Sequence, residues 1–90
     1  MRKINFEHTF TKDIKRFTKK HYPLDKLDHV MHTLQESDGV LSGQFHDHAL
    51  SGNLSGLREL HIEQNILLVY RLTDDTITMV RLGSHDDLFK

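Results

Sequence analysis

Eight histidines and no cysteine define the chemistry open to this 90-residue chain. Without thiols there are no disulfides, no thiolate nucleophiles and no cysteine-ligated zinc or iron–sulfur centres. Histidine changes charge near neutral pH, so it is the side chain best suited to carry protons. His46 and His48 lie in a glycine-punctuated stretch, His61 alternates with Glu59 and Glu63, and His85 follows Gly83. A reaction that removes one proton and delivers another uses two such groups. Cleavage of RNA is one: a base takes the 2′-hydroxyl proton, the oxygen attacks the adjacent phosphorus, and an acid protonates the departing 5′-oxygen. Arg58 or Arg81 would set a fork of donors beside the crowded phosphorane. That chemistry requires no metal and no cofactor.

Blander assignments compete for the same residues. The arginines can simply pair with Glu59, Glu63 or Asp87 at the surface. A metal reading combines His46-x-His48 with His61 or His85 and an oxygen from Asp47, Glu59 or Glu63. His-x-His alone is a weak motif, however, and no HExxH occurs. There is no P-loop, dinucleotide fingerprint or nucleophile elbow, and Gly52-Asn-Leu-Ser-Gly56 reads as a turn. His29 and His32 lie three apart on the polar side of a helix, and His8 and His21 flank another; all four read as surface residues.

The elements that must position these groups follow from hydrophobic period. Ile4 and Phe6 alternate in a short strand near Met1–Glu7. From about Thr11 the period changes to a helix carrying Phe10, Ile14 and Phe17, with Thr9 or Thr11 as its cap. Pro23 ends that helix and opens a second, with an apolar stripe of Leu24, Leu27, Val30, Met31 and Leu34. After the glycine-rich 37–55 stretch the period becomes two. Arg58, Leu60 and Ile62 are expected on one face, with Glu59, His61 and Glu63 on the other. Ile66–Leu72 is apolar on both faces, as in a central strand. In the last strand Ile77, Met79 and Arg81 alternate against Thr78, Val80 and Leu82. The expected fold is α+β, in the order β-α-α-β-β-β, with two helices on one face of a small antiparallel sheet. Residues 1–90 form a single domain of ordinary globular composition, 37% hydrophobic and 28% charged. The longest apolar run, Ile66–Tyr70, is far too short to span a membrane. No signal-type segment begins the chain, so a cytoplasmic location is expected.

The net charge of −1 conceals an asymmetry. Residues 1–45 carry +2 and residues 46–90 carry −3. Lys12, Lys15, Arg16, Lys19 and Lys20 crowd the first helix and form a candidate electrostatic contact for RNA or the ribosome.

Four fragments in order carry a family resemblance. They are Asp47-His-Ala-Leu-Ser-Gly52, Gly56-Leu-Arg-Glu-Leu-His-Ile-Glu63, Ile66-Leu-Leu-Val-Tyr70 and Val80-Arg-Leu-Gly-Ser-His-Asp-Asp-Leu-Phe89. Together they resemble the YafQ-like branch of the RelE/ParE toxin superfamily over nearly the whole chain. The resemblance implies a ribosome-dependent endoribonuclease of a bacterial type II toxin–antitoxin module, cutting mRNA in the A site by metal-independent 2′-hydroxyl attack. It implies His48, His61, His85 and Arg81 as catalytic groups, with His85 the acid and His48 or His61 the base. Arg58, Glu59, Glu63, Asn65 and Phe89 are then expected to bind or orient substrate. Asn65 departs from the family pattern, since many relatives carry an acid there, and an amide cannot accept the proton. The implied partners are a cognate antitoxin and the ribosome with mRNA, with DNA reached only through the antitoxin. Superfamily members that inhibit DNA gyrase, or a weakened enzyme that keeps antitoxin binding, are the alternatives.

Overall fold

The computed structural model describes residues 2–37 and 45–88. Phe89, expected to contact substrate, lies outside them. The described elements are β1 (Lys3–Phe6), α1 (His8–Lys19), α2 (Asp25–Glu36), β2 (His48–Ala49), a 3-10 turn (Gly52–Leu54), β3 (Arg58–Glu63), β4 (Ile66–Leu72), β5 (Thr76–Gly83) and α3 (His85–Leu88). The strands form one sheet in the order β1-β5-β4-β3-β2. The α+β class and the helical hairpin on one sheet face are those expected. The sheet itself is mixed, because β1 runs parallel to β5 while every other pair is antiparallel. A helical crossover separates β1 from the sheet, so no tight turn forces it to run antiparallel. The short β2 and the single turn of α3 carry too little periodicity to be read from sequence. None of the described helices is long and apolar enough to cross a membrane.

The core joins Phe10 and Phe17 of α1 and Leu27, Val30 and Leu34 of α2 to Leu60, Leu68, Tyr70, Ile77, Met79 and Leu82 of the sheet. Leu60, Leu68 and Leu82 lie directly across from one another, as do Tyr70 and Met79, and Leu72 and Ile77. The opposite face carries two other cross-strand rows. One runs His48–Glu59–Val69–Arg81, the other His61–Leu67–Gly83.

Two one-residue bulges correct the expected facing of charged residues. In β5, Arg81 pairs with Val69 but Met79 pairs with Tyr70, so Val80 is the extra residue. Strict alternation would have placed Arg81 with Ile77 and Met79 in the core. The bulge shifts the phase, turning Arg81 to the open face and Leu82 inward. In β3, His61 pairs with Leu67 and Glu63 with Ile66, so Ile62 is extra. Glu63 thereby leaves the His61 face and meets Tyr22, whose hydroxyl donates to it, and Lys26, at 2.7 Å.

β1 ends at Phe6, and α1 covers the edge of β5 beyond it. The Glu7 amide donates to the Met79 carbonyl at 2.9 Å and the Thr9 hydroxyl to the Val80 carbonyl at 2.6 Å. The buried Asp13 carboxylate accepts the Leu82 N–H at 2.8 Å. It also accepts Nε of Arg81 at 2.8 Å and Nη1 of Arg16 at 3.2 Å. Thr9 is thus an edge contact rather than a helix cap, and α1 starts earlier than its periodicity suggests, with Glu7 at the N-cap. Arg16 is likewise not free for RNA: its Nη2 reaches the Leu82 carbonyl and approaches Asp87.

A second buried carboxylate anchors the chain before β2. Asp47 accepts Nε of Arg58 at 2.9 Å and the hydroxyl of Tyr70. Its side chain is fully buried. Burial, with Asp47 beside it, pushes the Tyr70 phenol far above the usual tyrosine range, against a smaller opposing pull from Arg58. Desolvation works to lower the Arg58 pKa, but its bonds to Asp47 and Tyr70 outweigh that and leave it raised.

Two outcomes follow. Asp13→Ala strands the Leu82 amide and uncouples two guanidinium groups, and urea denaturation should show a loss of roughly 3 kcal/mol. Because the folded Tyr70 pKa is raised, its stabilisation is complete below the unfolded value near 10 and declines as pH rises above it. Stability measured across pH 9–12 should therefore fall more steeply in the wild type than in Tyr70→Phe. Parallel curves would show that Tyr70 does not contribute.

Candidate active site

Glu59 is the centre of the open face. It sits in mid-β3, 7% exposed, with β2 on one side and β4 on the other. Its Oε1 lies 3.6 Å from Nε2 of His48 and 3.9 Å from Nε2 of His61. One carboxylate thus faces two imidazoles. Nδ1 of His48 lies 2.8 Å from the His46 carbonyl, which only accepts, so Nδ1 carries the proton. In the neutral ring Nε2 then holds the lone pair, on the side of Glu59. His46 itself stands edge-on to His61 with centroids 5.5 Å apart. It adopts a left-handed backbone, φ 52°, unusual for a residue with a side chain.

His85 reaches the same face through α3. The Ser84 amide donates to Asp87 Oδ2 at 3.1 Å, and the Asp87 amide donates to Ser84 Oγ at 3.2 Å. This reciprocal capping box starts the helical turn at His85. The Ser84 amide first, then its hydroxyl and the charges of Arg16 and Lys20, hold the Asp87 carboxyl below the ordinary range. Gly83 makes the approach of α3 possible: a Cβ there would lie 3.1 Å from Asp87 Cβ and 3.2 Å from Nη2 of Arg16.

Glu59, His61, Asn65, Ser84 and His85 line an open cleft of about 380 Å³. His46, His48, His61 and Gln64 line a neighbouring one, so His61 is the wall between them. The structure therefore brings His48, His61, His85, Glu59 and Asn65 to one surface. Arg81 begins in the same row, but its guanidinium turns around the β5 edge and gives Nε and Nη2 to Asp13, at 2.8 and 3.3 Å. The Asp13 hydrogen bond is the main reason its pKa is raised. Arg58 lies on the opposite face of β3 with Asp47, whereas Glu63 borders the His46–His48–His61 cleft with its carboxylate held by Tyr22 and Lys26. On α1 and at its C-cap, Lys12, Lys15, Lys19 and Lys20 are exposed. Among the described residues, no group of three or more His, Asp or Glu is placed to hold a metal ion.

Asp13, Asp47 and His46 escaped the sequence reading as positioning groups. Asp13 carries a visible signal, a carboxylate between Phe10 and Phe17 on the apolar stripe of a helix. Asp47 and His46 lie in no periodic segment, so their positioning role could not be read from period, although Asp47 opens the first of the family fragments.

Comparison with known proteins identifies the family. Residues 2–90 match the family model described as bacterial toxin of type II toxin–antitoxin system, YafQ. The chain is 34% identical over 88 residues to the mRNA interferase toxin YafQ of Escherichia coli K12, covering 98% of this chain and 96% of that one. It superposes on YafQ in the crystal structure of the E. coli DinJ–YafQ complex with a TM-score of 0.89, at 33% identity and full coverage of both chains. A copper-bound mutant toxin from Helicobacter pylori superposes with a TM-score of 0.90 at 38% identity, covering 99% of this chain and all of the other. By its sequence and its fold, the chain belongs to the YafQ family of type II toxin–antitoxin toxins within the RelE/ParE superfamily.

Proposed function

We propose that the protein is a ribosome-dependent mRNA interferase that cleaves its substrate by 2′-hydroxyl attack. The observation that carries this reading is the meeting of His61 and His85 across one cleft, with Glu59 set between His61 and His48. His48 or His61 takes the 2′-hydroxyl proton, and Glu59 stabilises the imidazolium that results. The oxygen attacks phosphorus, forming a 2′,3′-cyclic phosphate, and His85 protonates the departing 5′-oxygen. Arg81, with two donors given to Asp13, contributes its positive charge from the β5 edge to the charge that builds on the phosphorane. Asn65 orients the nucleotide through its amide and takes no part in proton transfer. Every step is carried by protein side chains.

The cleft is open and shallow, so it relies on a substrate already held in an extended form. That fits mRNA presented in the ribosomal A site. The exposed lysines of α1 face anionic RNA, with Lys20 close enough for its charge to act on Asp87 beside His85. A cognate antitoxin as inhibitor is the counterpart of the DinJ partner seen with the E. coli toxin.

The decisive assay uses programmed ribosomes and mRNA at constant magnesium, with toxin either pretreated with EDTA and desalted or left untreated. Wild-type protein should cut in the A site in both conditions. His85→Ala should cut about 10²–10⁴-fold more slowly while unfolding at the same urea concentration. Cleavage abolished by EDTA would sink the metal-free mechanism, and gyrase inhibition without cleavage would replace the nuclease reading. Gly83→Val tests positioning. Its side chain pushes α3 away, so cleavage should drop at least tenfold for a stability loss of about 1–3 kcal/mol. Unchanged cleavage would show that the α3 position does not matter.

A further inference from the structure

His61 borders a third cleft that the cleavage chemistry leaves unused. It lies between α2 and β3, measures about 520 Å³, and is lined by Asp25, Lys26, His29, Phe45, His61 and Ile62 together with Val30. Its size falls in the range usual for small-molecule sites. Its position follows from the shortness of β2, which pairs with β3 only at Arg58 and Glu59. The Leu50 amide donates to the Leu57 carbonyl, so residue 57 directs its main-chain groups toward β2. By strand alternation Glu59 and His61 direct theirs to the same side. At His61, β2 has ended while β4 still pairs on the other side, and among the described residues no strand pairs with the β2-side edge of β3 there. One end of the cleft is pinned by Lys26 and Tyr22, both bound to Glu63.

The composition of this cleft is that of a base-binding site. It offers two flat rings, Phe45 and His29, on which a base can stack. It offers a carboxylate, Asp25, that only accepts hydrogen bonds, and a main-chain edge with both a donor and an acceptor. It also opens on the histidine shared with both neighbouring clefts. We propose that the α2–β3 cleft is a nucleobase subsite that selects which mRNA position is presented to His61 and His85. The inference rests on the mRNA-cleaving reading above. His29, exposed on α2, changes from a surface residue to a specificity determinant, and Asp25 joins it.

His29→Ala and Asp25→Asn alter exposed side chains, so both variants should fold. On ribosomes programmed with A-site codons varied one base at a time, each should lower kcat/KM for the favoured codon about tenfold. The least favoured codon should change less than twofold, so the ranking flattens. Wild-type cleavage with an unchanged ranking in both variants overturns the subsite and leaves the nuclease reading intact. A cleavage-independent readout separates the two further. Titration with a short RNA made uncleavable by 2′-deoxy substitution should shift the His29 and His61 ring signals of the full-length protein. Shifts confined to His85 and the α1 lysines overturn the subsite. Absence of cleavage by the wild type overturns the nuclease reading instead, and the subsite with it.

Discussion

The carboxylate of Asp13 is the constraint from which the open face is built. β1 is four residues long and β5 eight, so half of the outer edge of β5 needs another partner. An unpaired strand edge is costly when buried and prone to association when exposed. A helix cannot offer a backbone ladder, because its own hydrogen bonds occupy the groups such a ladder needs. α1 therefore covers the edge with side chains, and only Asp13 can take the buried Leu82 amide. A buried carboxylate needs compensation, which Arg81 and Arg16 provide from two directions. The first fixes a cation at the end of the Glu59 row. The second reaches on to Asp87 and helps to seat α3. A requirement of edge protection thus determines where His85 and Arg81 stand.

How far the sequence exposes this arrangement depends on period. The helical hairpin, the central strand and the core were legible because Phe10, Phe17, Leu27, Leu34, Leu68 and Met79 keep a steady repeat. The faces of charged residues were not, because a period of two fails at any bulge. Val80 and Ile62 each insert one residue, and each reverses the assignment of the charge that follows. Arg81 next to the core positions Ile77 and Met79, with Leu82 out of phase, is the inconsistency that betrays the first bulge. Glu63 offers no such clue, because an acid after His61 is plausible on either face. Arg58 illustrates the converse: its face was assigned correctly, but the partner that retires it from the site, Asp47, lies in an aperiodic segment.

The candidate site was legible through residue type more than through spacing. His48, His61 and His85 are far apart in the chain and share no motif interval. What joins them is the register of β2, β3 and β4 and the capping box of α3. The four fragments carrying the family likeness contain all three histidines, so resemblance reached what periodicity could not. It did not reach the acid partner's burial. Glu59 reads as a solvent-facing residue of an alternating strand, yet it is nearly enclosed between two imidazoles. Burial of that carboxylate couples His48 and His61 through one shared group, which proximity of the histidines alone would not do.

The near-neutral charge of the chain now has a structural reading. Asp13, Asp47 and Glu63 are each tied to an arginine or lysine, so none contributes a free negative charge at the surface. The lysines of α1 have no comparable burden and stand exposed on one helix face. Exposed acids gather at Asp25 and Asp28 on α2, at Asp74 and Asp75 between β4 and β5, and at Asp86 and Asp87 on α3, where Arg16 and Lys20 offset Asp87. Such segregation orients the molecule in the field of a polyanion without requiring a positive total. It also sets Lys20 where its charge acts on Asp87, two residues after His85 in α3. Screening at physiological salt limits that attraction to about 8 Å. Over so short a range, the placement of charge beside the cleft matters more than its sum over the chain.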